Sequence, residues 1–186
     1  MKRISRGTGL SLCVQPAFII GTNNEDGTYN FAPITWVSVT CREGDDYLLV
    51  VSMFGTKATK QNVLRDGLLS VNLVSREMLP LMDHLGRCSA KDGCKDMLGY
   101  GVGRGEKADV PTLDDSPWVY ECRVSDSVET GSSTTFFCRT VNIQTDETID
   151  IPDSFSVDLI GFDPVIYSGM YHSIGENLGG IGNIKP

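Results

Sequence analysis

The chain has 186 residues, 40% of them hydrophobic and 22% charged, which suits one globular domain with enough apolar material for its own core. Its formal net charge is −8, an acidic balance that repels phosphate backbones and anionic lipid and so argues against nucleic-acid and membrane partners, while leaving room for one small anion in a local basic pocket. Tyr47-Leu-Leu-Val-Val51 is among the longest apolar runs, far short of the roughly 20 residues that span a bilayer.

Lys2, Arg3 and Arg6 precede a mildly apolar stretch, but Gln15 and Pro16 interrupt it and no small-x-small cleavage site follows, so the expectation is a cytoplasmic protein rather than a secreted one. Pro16–Thr22 is a compact apolar run ended by the turn formers Asn23-Asn-Glu-Asp-Gly27. Residues 34–42 alternate and are rich in β-branched side chains, Glu43-Gly-Asp-Asp46 turns the chain, and residues 47–53 form a further strand. This spacing predicts an antiparallel meander. Residues 56–66 read as a helix, with Thr56 or Thr59 as cap and Gly67 as stop.

Residues 68–74 return as a strand. Ser75 is placed to cap a second helix over 76–85, with Pro80 near its middle to bend or split it. Residues 91–98 suggest a short helix or turn, and the glycine-rich stretch 99–110 a surface loop. Residues 118–128 and 134–145 flank Glu129-Thr-Gly-Ser-Ser133 as a long hairpin, 146–159 is a polar excursion, and 165–171 precedes a glycine-rich tail. No repeat or low-complexity block interrupts the chain. A strand-dominated tally with two or three helices is met most simply by a barrel decorated with helices.

The six cysteines are Cys13, Cys41, Cys88, Cys94, Cys122 and Cys138. Four stand singly in apolar or alternating stretches and are expected as buried free thiols. Cys88, Cys94 and His84 cluster, but without a paired Cys-x-x-Cys or a fourth ligand they do not amount to a metal site. His84 and His172 are the two histidines, too few to build a Ser-His-Asp hydrolase with ease. Gly99-Tyr-Gly-Val-Gly-Arg-Gly105 does not fit GxGxxG, and GxxxxGK[ST] is absent.

Two stretches carry chemistry. Gly55-Thr-Lys-Ala-Thr-Lys60 lies between a strand end and a helix start, where free N–H groups and the positive dipole end favour an anion. Lysines in a first turn run against that dipole, and the threonine hydroxyls add neutral donors, so the set suits a phosphate monoester; a solvated surface helix with incidental lysines is the plain alternative. In Asn30-Phe-Ala-Pro-Ile-Thr-Trp-Val37, Asn and Pro can free backbone polar groups for a ligand. Trp36, opposite in direction to Thr35 and Val37, can flank a flat heterocycle or serve as a core tryptophan.

These pieces, in order, resemble the flavin-reductase-like family of FMN-binding split-barrel proteins, flavoredoxin among them. Asn30–Trp36 resembles N-x-A-P-x-[ST]-W, Thr59-Lys-Gln-Asn62 resembles T-x-x-N, and Ser89-Ala-Lys-Asp-Gly-Cys-Lys95 is similar to S-G-x-D-x-D-K. Tyr120-Glu-Cys122, Pro164-Val-Ile-Tyr167 and Tyr171-His-Ser-Ile-Gly175 complete the series. Ser133 stands where the family often has histidine, Asp96 where a K-F pair is usual, and Ala90 where it has glycine. The resemblance implies a mainly β fold with helices, a Greek-key-like antiparallel split β-barrel spanning residues 1–186 as a single domain with a tail from about residue 172. It also implies a cytoplasmic homodimer holding FMN near the subunit interface.

By family pattern, Asn30, Ala32, Pro33, Thr35, Trp36 and Val37 lie along the flavin and its ribityl chain, and Met53 and Phe54 continue the wall. Thr56, Lys57 and Thr59 meet the phosphate, and Lys95 stands near the flavin or its phosphate. The implied function is that of an NAD(P)H-dependent oxidoreductase passing hydride or electrons through FMN to a small-molecule or protein acceptor, with no catalytic side chain. The alternatives are a non-enzymatic electron carrier, for which the acidic surface suits a basic redox partner, and a ligand-binding domain without flavin.

Overall fold

The computed structural model describes residues 3–5, 7, 13–42, 46–88, 96–151 and 157–179. The chain runs through β1 (Gln15–Pro16), β2 (Phe18–Asn23), β3 (Tyr29–Ile34), β4 (Val37–Cys41) and β5 (Tyr47–Phe54) into helix α1 (Ala58–Asp66). After β6 (Leu68–Leu73), a 3-10 turn at Arg76–Met78 leads into α2 (Leu79–Arg87). There follow β7 (Val102–Arg104), β8 (Pro111–Leu113) and the long strands β9 (Trp118–Thr130) and β10 (Ser133–Thr145). A 3-10 turn at Leu159–Phe162 and the small strands β11 (Val165–Tyr167) and β12 (Tyr171–Ser173) come last.

Seven strands form one antiparallel sheet in the order β3-β2-β6-β9-β10-β5-β4. Its two edges, β3 and β4, are consecutive in sequence. The first pairs with β2, Phe18 opposite Ile34, and the second with β5, Val37 opposite Val51. The stretch expected as one strand over 34–42 is thus cut at Thr35-Trp36, because the backbone changes partner there. The sheet curls until its rims meet through two residues of chain rather than through a ladder, which is a split barrel. Pro33 is tolerated because β3 is an edge strand and its missing N–H forfeits no pairing.

Inward-facing residues of the curled sheet form the core, among them Phe18, Ile20, Val51, Leu69, Val71, Phe136 and Cys138, closed by Val63 of α1. A second cluster on the outer face of β2 and β3 packs Ile19 and Phe31 against Met78, Leu81, Met82 and Leu85. Apolar positions three and four apart on α2 turn one stripe to that sheet.

Several local expectations need correction. Neither Thr56 nor Thr59 caps α1: the N-cap is Lys57, without a side-chain cap bond. Gly67 does end the helix, its N–H donating to the Val63 carbonyl at 2.9 Å. Ser75 stands at the cap position of the 3-10 turn but makes no side-chain cap bond. Pro80 lies in the first turn of α2, not its middle, where a missing N–H costs nothing. The stretch 99–110 contains β7, paired with β8. Of the thiols expected inside, Cys122 and Cys138 are buried, but Cys13, before β1, and Cys41, at the end of an edge strand, are exposed. Burial pushes the Cys138 thiol up to about 12 and raises Cys122 as well.

A buried carboxylate ties β9 to the chain before β8. Glu121 is fully buried. Its Oε1 accepts from the Glu106 N–H at 2.9 Å, Asn142 Nδ2 at 2.7 Å and Gln144 Nε2 at 2.9 Å. Its Oε2 accepts from the N–H groups of Lys107 and Ala108, each at 2.7 Å. Burial by itself favours the neutral acid, but these donors, Asn142 first, outweigh it and lower the pKa to about 2.

Candidate functional site

The seam of the barrel, the end of β5 and the start of α1 meet around two adjoining cavities. The smaller one, of about 170 Å³, is walled by Ala32 to Trp36, by Ser52, Met53 and Phe54, and by Lys57, Thr59 and Lys60. The larger one, of about 730 Å³, is bordered by Asn30, Ala32, Pro33 and Phe54, by the turn from Gly55 to Thr59 with Gln61, and by Leu85 to Cys88 at the end of α2. The larger volume lies within the range of small-molecule sites, roughly 300–1,000 Å³.

The seam exposes the first wall. Trp36 is 46% exposed, so it is not a core tryptophan. Its carbonyl accepts from the Ser52 N–H at 2.9 Å, which holds it beside β5. Thr35 is fixed by a hydrogen bond from its hydroxyl to Gln15 Oε1 at 2.9 Å. With no ladder on either side, both residues line the cavity.

The second wall is the turn into α1. Gly55 has φ of 75°, a region closed to most side chains, and its N–H donates to the Ser132 carbonyl at 2.9 Å in the β9–β10 turn. The backbone then enters α1 with no side-chain cap and no acidic residue in the first turn. Thr56 and Lys57 are exposed beside that helix start. Uncapped N–H groups, a positive dipole end, a hydroxyl and an ammonium at the lip of a cavity suit a dianionic phosphate.

A polar brace behind the turn fixes its position. Asn30 Nδ2 donates to Thr59 Oγ1 at 2.8 Å. Asn62 Nδ2 donates to Thr22 Oγ1 at 3.1 Å and to Asn24 Oδ1 at 3.0 Å. Thr59 and Asn62 are three residues apart and so share a helix face, which is why T-x-x-N works as a unit. It docks α1 onto β2 and β3.

Of the residues expected along the cofactor, Asn30, Ala32, Pro33, Thr35, Trp36, Met53, Phe54, Thr56, Lys57 and Thr59 border one or both cavities. Val37 does not: its side chain packs into the barrel core, because it starts a strand whose next inward position it fills. Lys95 lies outside the described residues. Lys60, part of the anion-binding stretch expected over Gly55–Lys60, borders the smaller cavity, and Ser52, Gln61 and Arg87 border the cavities without having been singled out. For Ser52 the two-residue period of β5 offered a signal, since it is followed by the buried Met53 and shares a face with Phe54; nothing local pointed to the other two. Cys88 Sγ lies 3.7 Å from His84 Nε2 beside the larger cavity, and His172 is exposed, its Nε2 3.2 Å from Ser168 Oγ. Among the described residues no group of three His, Cys, Asp or Glu side chains could hold a metal ion, and no helix is long and apolar enough to cross a membrane.

A family model described as "Flavin reductase like domain" matches residues 10–175. No curated protein matches the chain significantly. Among solved structures, the flavoredoxin of Desulfovibrio vulgaris (Miyazaki F) superposes with a TM-score of 0.86 at 24% identity, covering 98% of each chain. The flavoredoxin of Methanosarcina acetivorans gives 0.86 at 22% identity over 98% of this chain and 97% of that one. An FMN-binding protein of Thermus thermophilus with bound p-hydroxybenzaldehyde gives 0.77 at 19% identity over 96% and 99%. At these identities the likeness is one of fold.

Proposed function

This chain belongs to the flavin-reductase-like family, and on that premise we propose that it binds FMN across the two cavities and passes electrons through it. The observation that carries the proposal is the uncapped start of α1, with Thr56 and Lys57 bordering the larger cavity, beside a smaller cavity walled by the exposed indole of Trp36. A phosphate at one end and a flat ring at the other match that arrangement. The flavin supplies the redox chemistry. This chain's residues bind and orient it: the helix start and Lys57 hold the phosphate, Thr59 and Asn30 fix the turn, and Trp36, Met53 and Phe54 wall the ring. Lys95 is assigned to the same group by its motif, and Val37 contributes through the barrel core.

The donor is NADH or NADPH, and the acceptor a small molecule or a protein. The working unit is a cytoplasmic homodimer of single-domain subunits spanning residues 1–186, with a tail from about residue 172. Support for an enzyme comes from solved structures of like fold that include a 2-nitrobenzoate 2-nitroreductase and a nitrilotriacetate monooxygenase component B. A second reading, an electron carrier serving a protein partner, is favoured by the flavoredoxins of like fold and by the net charge of −8. The absorbance spectrum of purified protein given FMN, before and after anaerobic NAD(P)H, tests both. Rapid bleaching by the nucleotide alone supports the reductase, bleaching only with a reduced partner protein supports the carrier, and failure to take up FMN refutes both.

A further inference from the structure

Lys60 is left unused by the phosphate turn. It lies in the first turn of α1, but unlike the exposed Lys57 its side chain turns inward and is only 8% exposed. Its Nζ donates to the Ser132 carbonyl at 3.3 Å, an oxygen that already accepts from the Gly55 N–H. An ammonium carries three donors, so one shared carbonyl leaves it under-supplied. Among the described residues no carboxylate forms an ion pair with it. The helix deepens the imbalance, since Lys60 sits at the positive end of α1 with no acidic neighbour in that turn. A buried cation so placed is costly until an anion joins it.

The cavities separate the two lysines. Lys57 borders both, whereas Lys60 borders only the smaller one, together with Trp36, Ser52 and Met53. Resting on the FMN reading above, we propose that Lys60 faces the flavin ring and favours the negative charge the ring gains on reduction. A hydride from a dihydropyridine nucleotide brings two electrons and one proton, so a neutral ring leaves the step with one negative charge and the donor leaves as a pyridinium. Lys60 forms no covalent bond and moves no proton; its fixed charge stabilises the reduced ring more than the neutral oxidised one.

The test is the two-electron midpoint potential of the FMN-loaded protein, measured for wild type, Lys60→Met and Lys60→Arg. Lys60→Met is expected to lose at least tenfold of its preference for reduced over oxidised FMN, which is about 30 mV lower for a two-electron couple, and Lys60→Arg to restore most of it. If Lys60 merely struts the β9–β10 turn, or binds the phosphate, both redox states weaken together and the midpoint stays put, which overturns the inference. Should Lys60→Met fail to fold, Lys60→Gln, which keeps a donor for Ser132 but no charge, is held to the same standard. A wild type that takes up no FMN defeats the FMN reading itself, whereas a wild type that binds it while the variants keep an unchanged midpoint defeats only the role of Lys60.

Discussion

Replacing Glu121 with Gln probes a buried carboxylate that accepts five hydrogen bonds. The change keeps size and shape but puts an amide NH2 where one carboxylate oxygen stood. Turned one way, the NH2 faces the Lys107 and Ala108 N–H groups; turned the other, it faces the Glu106 N–H and the amides of Asn142 and Gln144. At least two donors that meet the buried carboxylate lose their acceptor either way. At about 1–3 kcal/mol per unsatisfied group, the loss is about 2–6 kcal/mol, against a total of roughly 5–15 for a domain. Thermal denaturation at neutral pH should show a melting temperature lower by at least about 4 °C. The pH dependence supplies a second readout. Because the folded carboxyl titrates at about 2, below its ordinary 4.5, its contribution is full above the unfolded value and disappears as pH falls through the folded one. The gap between wild type and Glu121→Gln should therefore narrow as pH drops from 4.5 toward 2. A neutral-pH loss below about 1 kcal/mol, or a gap independent of pH, would refute the reasoning.

Three further outcomes are expected. Lys57→Glu should weaken FMN binding by at least tenfold, about 1.4 kcal/mol, in a fluorescence titration; unchanged affinity would place the phosphate elsewhere. Trp36→Ala, at a half-exposed position, should leave urea-unfolding stability within about 1 kcal/mol yet loosen FMN by roughly 0.5–1.5 kcal/mol of lost ring contact; a large stability loss with unaltered FMN affinity would make Trp36 structural. A chromogenic disulfide reagent should modify the exposed Cys13 and Cys41 in the native protein but reach Cys122 and Cys138 only on unfolding, since both thiols are buried and raised in pKa. Fast native labelling of Cys138 would contradict the packed barrel.

What could be read from the chain was what is local. The strand-to-helix turn at Gly55–Lys60 announces itself because glycine, hydroxyls and lysines sit within one short window, and the seam stretch Asn30–Trp36 because Asn, Pro and Trp break a β-branched run. What was hidden depends on partners far along the chain. Lys60 is buried by a carbonyl 72 residues away, and Glu121 is satisfied by residues 13 to 23 positions distant on both sides. The split of residues 34–42 follows from a change of pairing partner that alternation cannot encode. Val37 has the side-chain pattern of a strand residue, and only the register opposite Val51 assigns it to the core.

The join at Thr35-Trp36 has a mechanical consequence. A hydrogen-bonded seam can widen only by rupturing a row of rungs, whereas this one is bridged by a two-residue tether held by one backbone bond, from the Ser52 N–H to the Trp36 carbonyl, and one side-chain bond, from Thr35 to Gln15, so the rims part at the expense of those two bonds while β2 and β5 keep every pairing with β3 and β4. Compliance is thereby concentrated at the mouth where a guest would enter, and the remaining wall stays stiff.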